Sequence, residues 1–145
     1  MEDMLTRGKH ALASQPFSVL LGAELLAFSE GRAEISISIR EELKQQHGFV
    51  HGGVISYAAD NALTFAGGSG LGPGVLTSEF KINYMRPAVG DSIVARAAVV
   101  HAGRSQAVCR CDVFVLRQGH ESLCATAQGT VTLLSASSGS TPGTA

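Results

Sequence analysis

The stretch Gly48–Gly68, GFVHGGVISYAADNALTFAGG, decides how the rest of the chain must be arranged. From Val54 to Ala66 it is almost all Ala, Val, Ile, Leu, Phe and Tyr. A helix that is apolar around most of its circumference is a buried helix, wrapped by other structure. One residue resists that burial. Asp60 carries a carboxylate into the middle of the run, and desolvating it is costly unless it is paired, hydrogen-bonded or protonated. Ser56, Asp60 and Thr64 recur every four residues, so they form one narrow polar stripe. The helix opens on His51-Gly52-Gly53, where glycines leave the first backbone N–H groups unshielded for a carbonyl oxygen or an anion. Oxyanion donors together with a desolvated carboxylate point to acyl transfer.

Working outward, the segments on either side supply the wrapping. Met1 to Ser14 reads as a short amphipathic helix with Met4, Leu5 and Leu12 inward, broken at Gln15-Pro16. Val19 to Phe28 is apolar and strand-like, and Glu30-Gly31 offers hairpin chemistry. Ala33, Ile35, Ile37 and Ile39 then alternate with Glu34, Ser36, Ser38 and Arg40, the period of a half-buried strand. Glu41 to Gly48 is a polar loop. The helix is expected to end near Gly67-Gly68, and SGLGPG returns the chain to extended structure. Four strands follow, over Leu76–Met85, Ser92–His101, Ser105–Leu116 and Glu121–Leu134, with turns at Ala102-Gly103 and Gln118-Gly119. Three hairpins among these late strands make the sheet predominantly antiparallel. The fold class is α+β: a six-stranded antiparallel sheet wrapped around one long central helix, in a single domain over 1–134. The tail 135–145 lacks apolar anchors and is expected to be disordered. One helix against six strands leaves a helix flank or a sheet edge open, which argues for self-association.

Composition narrows the function classes. The net charge of -1 gives no broad attraction to nucleic acid or anionic lipid. No apolar run long enough to span a bilayer occurs, and MEDMLTRGKH has no apolar h-region, so the cytoplasm is the expected compartment. The three cysteines form no disulfide framework, and Cys109 and Cys111, two apart on one strand face, read as small core thiols. His47 and His51 are four apart but interrupted by Gly48, which makes a poor metal pair. The sequence implies no metal and no cofactor.

Gly48–Asn61, GFVHGGVISYAADN, and Glu79–Ala88, EFKINYMRPA, resemble the hotdog-fold acyl-CoA thioesterases of the phenylacetate-degradation (PaaI-like) type. The likeness in order and spacing extends over roughly 15–134. It implies that Asp60 acts as general base or nucleophile at the thioester carbonyl, and that the Gly52 N–H polarises that carbonyl. His51 matches the histidine before the glycine. Gln45 falls where relatives carry Asn or Gln to orient water or the thioester, with Asn the commoner residue among the nearest relatives. Thr64 and Thr77 stand where relatives often place a hydroxyl near the carboxylate, and Gly53 lies beside the expected substrate path. The resemblance further implies a homodimer or homotetramer, with each site shared across a dimer interface.

Arg86, at a strand end before Pro87, and Arg104, at a hairpin tip, are candidates for the coenzyme A phosphates because guanidinium forks suit phosphate oxygens. Ser56 has no G-x-S-x-G elbow around it and reads as a helix residue beside the site. Ala58, Ala59, Ala62 and Gly67 suggest room beside the helix, without distinguishing an aryl from a medium-chain acyl group. Two functions remain open: hydrolysis of acyl-CoA to free acid and coenzyme A, and a non-catalytic acyl-CoA-binding hotdog module.

Overall fold

Small residues set the depth of the central helix against the sheet. The computed structural model describes residues 1–134, and the tail expected to be disordered lies outside the described residues. Its elements are α1 (Met4–Ala13), α2 (Pro16–Leu21), β1 (Ala23–Ser29), β2 (Arg32–Ser38), α3 (Gly52–Leu71), β3 (Val75–Tyr84), β4 (Ser92–Ala102), β5 (Gln106–Arg117) and β6 (His120–Leu133). Ala58, Ala59, Ala62, Leu63 and Ala66 of α3 have no exposed surface and face the sheet. A Cβ on Gly67 would lie only 2.9 Å from Val131 Cβ, so helix and strand approach closely at that point. Opposite them, Ile35, Ile37, Ile93, Ala95, Cys109, Cys111, Val113, Ala125 and Val131 point inward and close the core.

The six strands form one antiparallel sheet in the order β1-β2-β4-β5-β6-β3, curled around α3, which is the hotdog arrangement. Strand β3 is an edge. Its register slips between Thr77 and Glu79, a β-bulge that leaves Ser78 unpaired. At the β5–β6 connection, Gln118 and Gly119 both have positive φ (50° and 80°), the conformation of a type I′ hairpin turn.

Four expectations need correction. Val19–Leu21 are helical, because Pro16 stands at the start of α2 and Gly22, with φ 71°, terminates it; this punctuation outweighs the apolar run. Gly67-Gly68 do not end α3. They are interior packing glycines, and the helix runs to Leu71 before Gly72, whose N–H donates to the Gly68 carbonyl. Only β4–β5 and β5–β6 are hairpins among the late strands. The connection after β3 contains Pro87 and is too long for a tight turn, so β3 pairs with β6 and β4 crosses to β2. Finally, Ala58, Ala59, Ala62 and Gly67 provide no room, since all four are pressed against the sheet.

The other flank of α3 is covered in part by the N-terminal helices. Tyr57 donates to buried Ser18 of α2 (2.5 Å), and Asn61 donates to Tyr57 (2.9 Å) and to Gln15 (3.1 Å). Helix α1 sits so close to β1 that a Cβ on Gly8 would come within 2.6 Å of Leu25 and Phe28.

Candidate active site

Asp60 is half-buried in the single chain, on the flank of α3 that turns toward β3. Its Oδ1 accepts a hydrogen bond from Thr77 Oγ1 at 2.6 Å. Thr64 Oγ1 lies 2.7 Å from both the Asp60 carbonyl oxygen and Thr77 Oγ1, so its one proton is shared between them. When that proton points to Thr77, the chain Thr64–Thr77–Asp60 polarises cooperatively toward the carboxylate. Among the described residues Oδ2 has no donor, which leaves it as the oxygen able to accept a proton or attack a carbonyl. Thr77 reaches Asp60 only because of the bulge. Counted back along the regular alternation from Tyr84, Ile82 and Phe80, the inward position would be Ser78, but Ser78 instead turns outward and donates to the Thr130 carbonyl.

At the start of α3 the geometry is built from backbone. His51 is the N-cap, and its Nδ1 accepts from the Gly53 N–H at 2.8 Å. The Val54 N–H is taken by the His51 carbonyl at 2.9 Å. That leaves one free donor in the first turn: the Gly52 N–H has no acceptor among the described residues. The Gly53 N–H, expected to be open to substrate, is occupied by the histidine. Tyr84, at the far end of β3, lies over this turn. Its hydroxyl is 3.1 Å from the Gly52 carbonyl and 2.7 Å from Ser56 Oγ. A cleft of about 360 Å³ opens here, with Gln45, Gly52, Tyr84 and Arg86 on its walls. Gln45 turns its Oε1 back onto the His47 N–H within its own loop, so its amide nitrogen is the end left for a ligand.

The chain therefore brings its candidate residues together in two groups. Asp60, Thr64 and Thr77 form one; Gly52, Gln45, His51 and Arg86 form the other. Arg104, exposed at the β4–β5 tip, lines neither this cleft nor the larger one beside α1. Sequence reasoning gave no role to Tyr84 and none to Asn61, although both stand inside the stretches that carried the resemblance. The signal for Tyr84 was its place on the same side of an alternating strand as Phe80 and Ile82, although it remains about half exposed at 52%.

The cysteines take no part. All three are buried, and burial pushes the thiols of Cys109 and Cys124 up to about 11. Cys111 rises further, for the same cause and through nearby Asp112. Arg96 is also committed elsewhere, forked onto Glu121 at 2.7 and 2.5 Å and lying over the Phe114 ring. Among the described residues no three His, Cys, Asp or Glu side chains are grouped to hold a metal ion, and no helix is long and apolar enough to cross a membrane.

A long central helix inside a curled six-stranded antiparallel sheet matches the fold of solved hotdog thioesterases. The thioesterase superfamily pattern matches residues 47–122, just over half of the chain, and the protein belongs to that superfamily. A thioesterase family protein of Silicibacter pomeroyi has the same fold, with a TM-score of 0.82 and 36% identity over 86% of this chain and 94% of that one. The acyl-coenzyme A thioesterase PaaI of Escherichia coli is 30% identical over 89 residues, covering 61% of this chain and 63% of the relative's length. The 1,4-dihydroxy-2-naphthoyl-CoA hydrolase of Listeria monocytogenes is 26% identical over 90 residues, 61% of this chain and 73% of its own.

Proposed function

We propose that this protein hydrolyses acyl-CoA thioesters to a free carboxylic acid and coenzyme A. The observation that carries the reading is the Asp60 carboxylate, held by Thr77, on the same helix as Gly52; among the described residues one carboxylate oxygen and the Gly52 N–H have no partner. The thioester carbonyl accepts from Gly52, where the positive end of the helix dipole favours the growing oxyanion. Asp60 then either takes a proton from an attacking water or attacks the carbonyl itself. After water attack the tetrahedral intermediate expels the coenzyme A thiolate, which takes the proton held by Asp60, and leaves the free acid. After direct attack it expels the thiolate to leave a mixed anhydride on Asp60, which water hydrolyses to the free acid. Gln45 orients the water or the thioester through its amide nitrogen. Arg86, exposed and without an ion pair among the described residues, holds coenzyme A phosphate at the cleft rim. The reaction draws on carboxylate and backbone donors alone, without metal or cofactor, in the cytoplasm.

Gly52 and Asp60 cannot serve one carbonyl within a single chain, since eight helical residues separate them by about 12 Å along the axis. A second copy resolves this. The edge strand β3 runs from Thr77, on Asp60, to Tyr84, on Gly52. Antiparallel pairing of β3 with its own copy about a twofold axis therefore sets Asp60 against Gly52 of the partner subunit, twice. The unit is a homodimer with two shared sites, and two such dimers build a tetramer.

Release of free thiol from a panel of acyl-CoAs, read with a disulfide dye, tests the activity. Hybrid dimers test the sharing. Asp60→Asn and Gly52→Val subunits, each inactive alone, form on mixing a hybrid with one intact site and regain turnover. No recovery in verified hybrids, or a stable active monomer in analytical ultracentrifugation, overturns the shared site.

A further inference from the structure

Thr64 has a second neighbour besides Asp60. It forms one wall of the larger cleft, about 570 Å³, which lies between α1 and the C-terminal half of α3. That volume is in the range of small-molecule sites, about 300–1,000 Å³. The polar side chains Gln15 and Asn61 are gathered at the end nearest α2, bonded to one another. Ser69, further along, spends its hydroxyl on the Ala66 carbonyl and accepts from the Gly31 N–H. Exposed Arg7 of α1 also borders the cleft, and the rest of its length is mainly apolar. Phe28 and Phe65 meet edge to face at 5.3 Å on one side, Met4 and Ala11 of α1 form the roof, and Val75 closes the far wall.

We propose that this cleft receives the acyl chain of the thioester and is sized for an unbranched, apolar group of medium length. The proposal rests on the hydrolase reading for the identity of the substrate. The lining follows α3 from Asn61 to the capping Gly72, and the part from Asp60's neighbour onward spans Thr64 to Gly72. Eight residues at helical rise make it about 12 Å long. An extended chain advances about 1.2 Å per bond, so roughly ten bonds fill that length. An acyl group of about eight to ten carbons, with its carbonyl beside Asp60, reaches the Pro73 end of the cleft. A short acyl group leaves the far half to water and forgoes the burial of its apolar wall. The specificity element is α1. Its residue Ala11 is exposed on the roof, so a larger side chain there enters the cleft without displacing a buried neighbour.

The test compares kcat/KM for acetyl-, butyryl-, octanoyl-, decanoyl- and palmitoyl-CoA in wild type, Ala11→Phe and Met4→Ala. Octanoyl- and decanoyl-CoA are the best wild-type substrates. Ala11→Phe lowers kcat/KM for these two at least tenfold and for acetyl- and butyryl-CoA less than twofold, with the melting temperature kept. Met4→Ala, which removes bulk from the roof, shifts the preference toward palmitoyl-CoA. Equal effects at all lengths, or no effect of either substitution, overturn the assignment of the cleft. Calorimetric binding of S-decyl-coenzyme A, a thioether that cannot be hydrolysed, separates the two readings. If no acyl-CoA is cleaved yet the thioether binds and Ala11→Phe weakens it tenfold, hydrolysis fails and the acyl cleft stands. If thioesters are cleaved and Ala11→Phe leaves thioether binding unchanged, the cleft fails and hydrolysis stands.

Discussion

The two ends of the candidate site are made of different materials. At Asp60 the chemistry is written in side chains: a carboxylate, a threonine hydroxyl donating to it at 2.6 Å, and a second threonine behind the first. At Gly52 it is written in backbone, an N–H without an acceptor among the described residues, next to a Gly53 N–H that His51 caps and a carbonyl that Tyr84 holds. The difference teaches that identity matters at one end and shape at the other. A side-chain end is vulnerable to a swap that preserves volume. A backbone end tolerates any swap that leaves the donor uncovered and fails when something covers it.

Asp60→Asn should have the largest effect, because it keeps the shape and removes the carboxylate proposed as base or nucleophile. Turnover is expected to fall by about 10²–10⁴-fold, with the thermal melt unchanged; thiol release alongside calorimetric melting checks both. Near-wild-type turnover would break the side-chain half of the comparison. Gly52→Val comes next. Its new Cβ meets only ordinary contacts, 3.4–3.5 Å from the Tyr84 ring, so the fold should survive while the branched side chain shields the donor. Loss of one oxyanion donor costs on the order of 3 kcal/mol, or roughly 10²-fold in kcat. Gly129→Val sharpens the contrast. A Cβ there would lie 2.5 Å from Phe80 Cβ and 2.8 Å from the Glu79 carbonyl, so that variant should lose stability rather than activity alone.

Thr77→Val removes the hydroxyl from a charged acceptor, an interaction worth about 1.5–3 kcal/mol. The expected result is a roughly tenfold or greater fall in kcat with a smaller change in KM, whereas a merely structural threonine would lower the melting temperature first. The smallest effect belongs to the cysteines, which lie outside both ends. Their folded thiols titrate near 11 for Cys109 and Cys124, against an ordinary value of 9.0. Between those values the unfolded chain has lost protons that the folded chain keeps. Stability should therefore be level below about pH 9 and decline toward pH 11, as chemical denaturation across that range would show. Thiol reagents at pH 8 should react only as the protein unfolds.

Legibility in the sequence followed the same division. The strand β2 could be read from the alternation of Ala33, Ile35 and Ile37, and α3 from the length of a run that is apolar nearly all round. Asp60 stood out because a carboxylate is costly in such a run. Helix α2 was hidden: six residues are too few to show a period, and only Pro16 and Gly22 mark its ends. The glycines at 67 and 68 misled because a packing glycine and a terminating glycine look alike until the opposing strand, here Val131, is known. The place of β3 at the sheet edge depends on a crossover that no local pattern encodes. Room beside α3 was expected from the wrong residues for a related reason: Ala58, Ala59, Ala62 and Gly67 serve contact with the sheet, while the larger cleft runs past Gly68 and Gly72.

The extra residue at Ser78 gives β3 two phases. The segment before it is timed to the acid on the helix; the segment after it is timed to the packing beneath the helix start. Such a strand behaves like a vernier: one inserted residue offsets two scales that would otherwise run together. A relative with a straight strand here would carry its hydroxyl at a different count from the following aromatic residue, and residue-for-residue matching without a gap would pair that hydroxyl with outward-facing Ser78. Threonine and acid could then seem unrelated in two proteins that share the same contact. In this chain the count of residues between hydroxyl and tyrosine is set by the bulge, and both contacts depend on it.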